Sequence, residues 1–332
     1  MSTLEPLDVG PCRIRLTAPS DVLAVVPYLL GFHPQDSVVV LLVRRGRVAL
    51  TARVDVVPPE IAGELAADIG QLADQHGASE LILVGYGGHA AEVRELLANL
   101  AELLEPYGLG DVLYADGRLW WSLWCTASCC PPEGTPYDLS THAIAATAVY
   151  AGLCCRSDRE ALAAEITGPL EVEQDALRLL TTEVRAEIGE LDGAGRCDLM
   201  ATLVRAAVAG RDQLDDHACA LLAVLAHDTH VRDIAWSLIS AELAEQHQRL
   251  WRQVVARTVP PYEAAPICLL GLAAWIGGDG ALMNCCIERI TIVDPDYSLG
   301  RLLAEISRAA LAPSLWDDLA PTIRAGLSVL AG

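Results

Sequence analysis

The 332-residue sequence has no lysine, a single phenylalanine (Phe32) and two asparagines (Asn99 and Asn284). All 23 basic residues are therefore arginines, set against 44 Asp and Glu, for a formal net charge of −21. That balance argues against a nucleic-acid binder, because phosphate contacts need a basic face. Aromatic residues make up 5% of the chain and hydrophobic residues 52%. Arginine without lysine, in a chain dominated by Ala, Leu and Val, reads as a compositional bias rather than a functional device. Long apolar runs are missing too. The longest, His142–Cys155 and Pro266–Gly278, fall short of the roughly 18 apolar residues that cross a bilayer, so no membrane partner is expected. The opening segment Met1–Arg13 has no basic start followed by an apolar core, so no leader is expected. Eleven cysteines without such a leader read as reduced, mostly buried thiols, and a cytoplasmic location follows as an expectation.

What is present suggests two domains. An α/β domain is expected over residues 12–136. Arg13–Thr17 is a short strand candidate, and a helix follows from Ser20, a plausible N-cap, to Leu30 with Pro27 inside it. Ser37–Val43 is a continuous apolar, β-branched run, as in a strand covered on both faces. Arg45-Gly46 makes a turn, and Arg47–Val56 alternates as a half-buried strand does. Pro58-Pro59 opens a helix that Gly77 ends. Leu81–Val84 is a strand, Ala90–Leu104 a helix, and Val112–Ala115 and Leu119–Cys125 are strands joined at Asp116-Gly117. A mixed sheet with helices is the result.

Cys129-Cys130-Pro131-Pro132-Glu133-Gly134-Thr135-Pro136 breaks regular structure, and beyond it, over 137–332, only helices are expected. Ser157-x-x-Glu160 is a capping box for the first of them. Val231–Val255 reads as one long helix. Ala264–Ile276 and Ala281–Ile292, stopped by Asp294-Pro295, are similar to one tetratricopeptide-like (TPR-like) helical hairpin, without the sustained period of a solenoid. Trp236, Trp251, Trp275 and Trp316 read as core anchors.

Several blocks together resemble an actinobacterial family, domain of unknown function 4192. They are Pro27-Tyr28-Leu29-Leu30-Gly31-Phe32-His33-Pro34 with Asp36-Ser37-Val38-Val39; Thr51-x-Arg53-x-Asp55; and Trp120-Trp121-Ser122 with Cys125, Cys129-Cys130-Pro131 and Gly134. Near the end stand Ala274-Trp275, Gly278-Asp279-Gly280-Ala281 and Asp294-Pro295-x-Tyr297-Ser298-Leu299. The resemblance spans nearly the whole chain and implies no reaction. The doublets Cys154-Cys155 and Cys285-Cys286 fall where that pattern is simply apolar and read as core.

Three constellations are candidate sites. With Arg45-Gly46 as a two-residue turn, cross-strand partners sum to 91, so Val38 faces Arg53 and Asp36 faces Asp55, with His33 just beyond. His33, Asp36, Arg53 and Asp55 then share one rim of the sheet, as catalytic candidates for acid–base work or divalent-ion binding. The plainer alternative is an Arg53 ion pair pinning the loop. Cys125, Cys129 and Cys130, with His142 the nearest imidazole in sequence, are metal candidates, zinc among them; buried inert thiols or a reactive thiolate are the alternatives. Gly85, Gly87 and Gly88, between a strand and a helix, fit a weak G-x-G-x-x-A cofactor loop or a plain glycine turn. In the helical half, His227-Asp228-x-His230 is a weak metal pair, with Asp228 as a helix cap the simpler reading.

The functional expectation is a module that binds a small ligand or, through the helical domain, a protein partner. The alternative is a metal- or thiol-dependent hydrolase-type enzyme sited at the rim.

Overall fold

A computed structural model describes residues 14–330 except Thr126, Ser128, Ala151, Gly152 and Arg211, without side-chain detail from 324 onward. The segment 1–13, on which the leader reading and the start of the first domain rest, lies outside the described residues. The chain forms two compact units that divide after Arg159. This division falls beyond the Pro/Gly cluster because a helix at Ala143–Tyr150 packs on the first helix of the chain.

The first unit is a six-stranded mixed sheet in the order β2-β1-β3-β4-β5-β6. Its strands are β1 (Ser37–Arg44), β2 (Arg47–Asp55), β3 (Glu80–Tyr86), β4 (Leu109–Ala115), β5 (Leu119–Ser122) and β6 (Thr135–Pro136). Only β3 and β4 run parallel. The helix between them, α3 (Ala90–Leu104), is the crossover that a parallel pair requires. Residues 14–17 form no strand; Ile14 and Leu16 are buried there without a ladder partner in the sheet. The first helix, α1 (Pro19–Leu30), starts one residue before the expected cap. Asp21 rather than Ser20 closes its start, its carboxylate accepting the Thr17 and Ala18 amides at 2.7 and 3.1 Å.

Both faces of β1 are buried, as its unbroken apolar run demands. Val38, Val40 and Leu42 pack with Leu81, Leu83, Val112 and Tyr114 beneath α2 (Ala62–His76) and α3. The opposite set, Val39, Leu41, Val43, Ile82, Val84 and Leu113, is equally buried on the side where α1 lies. Each such Val or Leu contributes about 1.5–3 kcal/mol relative to exposure.

The Arg45-Gly46 turn forms as expected, with φ of 52° and 71°, and Arg44 pairs with Arg47. Positive φ at both positions is the type I′ geometry that suits strand twist. The register then slips. Leu42 pairs with Leu50 and Val43 with Val48, leaving Ala49 as the extra residue of a β-bulge. Beyond it Arg53 opposes Val39 rather than Val38, and Asp55 opposes Ser37 rather than Asp36. A slip of one residue moves a side chain to the other face, so Arg53 and Asp55 stand on the α1 side.

The second unit is all helix among its described residues. It comprises α5 (Arg159–Ala164) after its first residue, α6 (Glu171–Glu187), α7 (Gly193–Ala209), α8 (Asp216–Ala226), α9 (Thr229–Ser237), α10 (Ala244–Val255), α11 (Ala264–Ile276), α12 (Gly280–Val293), α13 (Ser298–Arg308) and α14 (Leu315–Leu330); the helix Ala143–Tyr150 of the first unit is α4. The single helix expected over Val231–Val255 is two, because the chain turns at Leu238–Ser240 before a short 3-10 segment. The expected hairpin is α11 with α12; Asp294-Pro295 ends it and α13 begins at Ser298. Trp275 and Trp316 donate their indole N–H groups to Leu311 and Ile239 carbonyls at 2.8 and 2.9 Å, and Trp236 stacks on Trp316. Arg232, 5% exposed, donates to Asp233 through Nε and Nη2 and to the Tyr297 hydroxyl through Nη1. Cys285 and Cys286 are core, as expected, whereas Cys154 is exposed. Among the described residues no helix is long and apolar enough to cross a membrane.

Candidate functional site

The edge of the sheet formed by the C-terminal ends of β3 and β4 collects most of the candidate residues. Because β1 runs against β3, its first residue lies beside the last of β3, and Asp55, Ser37, Tyr86, Ala115, Trp120 and Thr135 form one continuous cross-strand row. In parallel α/β sheets this is the edge at which ligands bind.

Arg53 stands one step inward from that row. Its Nη2 donates to Asp55 Oδ1 at 2.6 Å and to the Gln35 carbonyl at 3.4 Å, and its guanidinium lies 5.9 Å from the Phe32 ring centroid. Phe32 is buried and held by a distant stretch of backbone: the His33 amide donates to Arg156 O and the Arg156 amide to Gly31 O. His33 itself turns outward and is exposed; partial burial keeps its pKa below the usual imidazole value. Asp36, with φ of 40°, lays its carboxylate against Gly87, at the spot where any Cβ would collide with it. Gly87 has a φ of 139°, and its carbonyl accepts from the Tyr114 hydroxyl at 2.8 Å. Gly85 is glycine for packing: a Cβ there would strike Val93 and Leu97 of α3. Gly88 has open space around it.

The rim thus brings Asp36 to the glycine turn and Arg53 to Asp55, but it does not assemble the expected quartet. The bulge separates Asp36 from Asp55 in register, and His33 projects its imidazole to solvent. The opposed pair of carboxylates that an unbroken register would give is therefore not formed; Asp55 pairs with Ser37 instead.

Two residues that the sequence did not single out complete the row. Ser37, 0% exposed, and Tyr86, 6% exposed, face each other across β1 and β3. Their hydroxyls, and Nε of Arg53, are buried without a hydrogen-bond partner among the described residues. Burial pushes the Tyr86 phenol well above its ordinary pKa, so it keeps its proton and can donate. Tyr137 is also raised, to about 12, by burial first. The signal available in sequence was a hydroxyl at each terminus of otherwise apolar strands: Ser37 before Val38–Val43, Tyr86 after Leu81–Val84.

The cysteine loop lies elsewhere. β5 runs antiparallel to β4, so it begins at the rim and delivers Leu123 to Val112, toward the opposite end of the sheet. The Cys125, Cys129 and Cys130 ligand atoms all lie within 4.8 Å of one another, with the first two sulfurs 3.6 Å apart. The Ala127 amide, then the neighbouring Cys130 and Cys129 thiols, hold the Cys125 pKa below its ordinary value. Burial, then the Cys125 and Cys129 thiols, push Cys130 up to about 12. His142 is not part of this group. Its Nε2 sits 3.5 Å from Asp21 Oδ1 at the start of α1, and its Nδ1 accepts from the Ile144 amide. Proximity in sequence did not translate into proximity in space, because β6 and the 138–141 turn carry the chain away from the cysteine loop. In the second unit Asp228 caps α9, accepting from the His230 and Val231 amides, and His227 packs edge-on to Tyr262, so the plainer reading of that motif holds.

Fold and site together define an α/β unit with polar groups gathered at the ends of its sheet, followed by a helical unit. Residues 19–314 match the family Domain of unknown function (DUF4192), and the chain belongs to that family. No curated protein and no solved structure matches it.

Proposed function

We propose that the α/β unit is a small-ligand-binding module whose ligand is held at the Ser37–Tyr86 corner of the rim. One observation carries this reading: Ser37 Oγ, Tyr86 OH and Arg53 Nε stand on one face, buried and without hydrogen-bond partners among the described residues. An unmet buried donor costs about 1–3 kcal/mol, and three in adjacent rows point to acceptors supplied from outside. The charge of Arg53 is already matched by Asp55, and Asp36 and Asp116 stand at the same edge. That balance disfavours an anion. It suits an uncharged polar molecule offering carbonyl or hydroxyl oxygens.

Thermal-shift screening of the full chain against uncharged sugars, polyols, amides and nucleosides, with small anions for contrast, tests the reading. A binding compound should lose on the order of tenfold in affinity in Tyr86→Phe and again in Ser37→Ala, about one hydrogen bond each. Failure of every compound to shift the transition, or binding indifferent to both substitutions, would sink it.

A further inference from the structure

We infer that Cys125, Cys129 and Cys130 form a thiolate site for a soft metal ion, Zn2+ in the first instance, with a fourth coordination position left to solvent or an incoming ligand. The inference is independent of the rim, since the loop leaves the other end of β5.

The geometry is already that of a chelate. Two sulfurs bound to one zinc at about 2.3 Å each stand about 3.8 Å apart in a tetrahedron. The Cys125–Cys129 separation is 3.6 Å, and Cys130 closes the triangle within the 4.8 Å that spans the group. All three cysteines are free thiols, and each is at least partly accessible. The loop that carries them is tied down on both sides. Before it, the Cys125 amide donates to Ser122 Oγ at 3.1 Å. Within it, the Cys130 amide donates to Ala127 O at 2.9 Å. After it, the Trp121 indole donates to the Pro132 carbonyl at 3.1 Å, and the Gly134 amide closes a turn on Pro131 O. These contacts hold the chain beside the cysteines, which lowers the ordering entropy lost on binding.

Thiolate donors select zinc and other thiophilic ions over magnesium or calcium. Among the described residues no histidine or carboxylate joins the three sulfurs. Structural zinc sites close with four protein ligands, whereas three ligands leave a position for water or substrate. Binding releases the thiol protons to solvent and leaves a zinc tris-thiolate of charge −1, with no change of oxidation state.

The test uses the full chain, reduced and stripped of metal, titrated with Co2+ as a spectroscopic probe. One equivalent should produce thiolate-to-cobalt charge-transfer absorption with tetrahedral ligand-field bands, and Zn2+ should bleach both. Cys125→Ser, Cys129→Ser and Cys130→Ser should each weaken binding by tenfold or more, and His142→Ala should leave it unchanged. Zn2+ should also shield these three thiols of the unmutated chain from alkylation while Cys154 still reacts, a readout that needs no variant to fold. Imidazole added to the cobalt form should shift its spectrum through the open position. No charge-transfer band at excess Co2+, an unchanged band in the triple Ser variant, or no protection from alkylation overturns the site. An unshifted spectrum with imidazole overturns the open position.

Discussion

Two enclosed polar clusters, one in each unit, are buried in opposite ways. In the helical unit the buried guanidinium of Arg232 is engaged through all three of its nitrogens: Nε and Nη2 donate to Asp233, Nη1 to Tyr297, and the Tyr297 ring lies against the guanidinium. In the α/β unit the enclosed hydroxyls of the rim row, Ser37 and Tyr86, have no hydrogen-bond partner among the described residues. Helices can turn a long side chain along their own surface to find an acceptor. A sheet fixes each side chain in a row, and a polar side chain at the end of a row can be enclosed before it meets an acceptor. Unmet polarity at such an edge is where a ligand adds most.

That contrast can be broken most forcefully at Arg232. Arg232→Ala strands Asp233 and Tyr297 and should cost about 3–5 kcal/mol in urea unfolding, far more than Tyr86→Phe, which removes a hydroxyl without an acceptor among the described residues. A cost below 1 kcal/mol for Arg232→Ala would erase the distinction. Next in size is pH. Burial lowers the pKa of His247, in α10, to about 4, from 6.5. The unfolded chain therefore binds more protons between those values, and stability drops as pH falls through that window, by up to about 3 kcal/mol. His247→Gln should flatten that dependence. Asp111, in β4, has the opposite sign. Burial and the Glu80 carboxylate raise it to about 6, so the folded state holds the proton longer and stability declines as pH rises from 3.8 to 6. Asp111→Asn should add about 1 kcal/mol at pH 7 and nothing near pH 3, after allowance for solvent screening. Smallest of all, Asp55→Asn should cost under about 1 kcal/mol, since Asp55 is 77% exposed and its pairing with Arg53 is screened.

Much of this was readable from residues alone where local chemistry decides. Arg45-Gly46 set the hairpin, Gly77 ended α2, and Ala90–Leu104 matched α3 to the residue. Other features depended on distant contacts. Nothing in Ala49 announces a bulge, yet that residue decides which face receives Arg53 and whether Asp36 meets Asp55. The two-residue β6 exists only because β5 offers it an edge. The break at Leu238–Ser240 interrupts an apolar pattern that continues on both sides of it. For the sites, the cysteine spacing was legible because i, i+4 and i+5 sulfurs on a tight loop have few ways to part. His142 was not, since its partner Asp21 lies far away in sequence. Ser37 and Tyr86 went unnoticed because hydroxyls at strand ends are ordinary until their partners are counted.

The bulge at Ala49 has a consequence for the molecule in company. β2 is the outermost strand of its sheet, with a backbone edge that another chain could extend. Ala49 bends that edge out of register, and Arg47, Arg53 and Asp55 line it with charge. An approaching strand would meet a mismatched ladder and would have to strip water from those groups. The feature that shifts Arg53 and Asp55 to the other face also makes this edge a poorer template for a second strand.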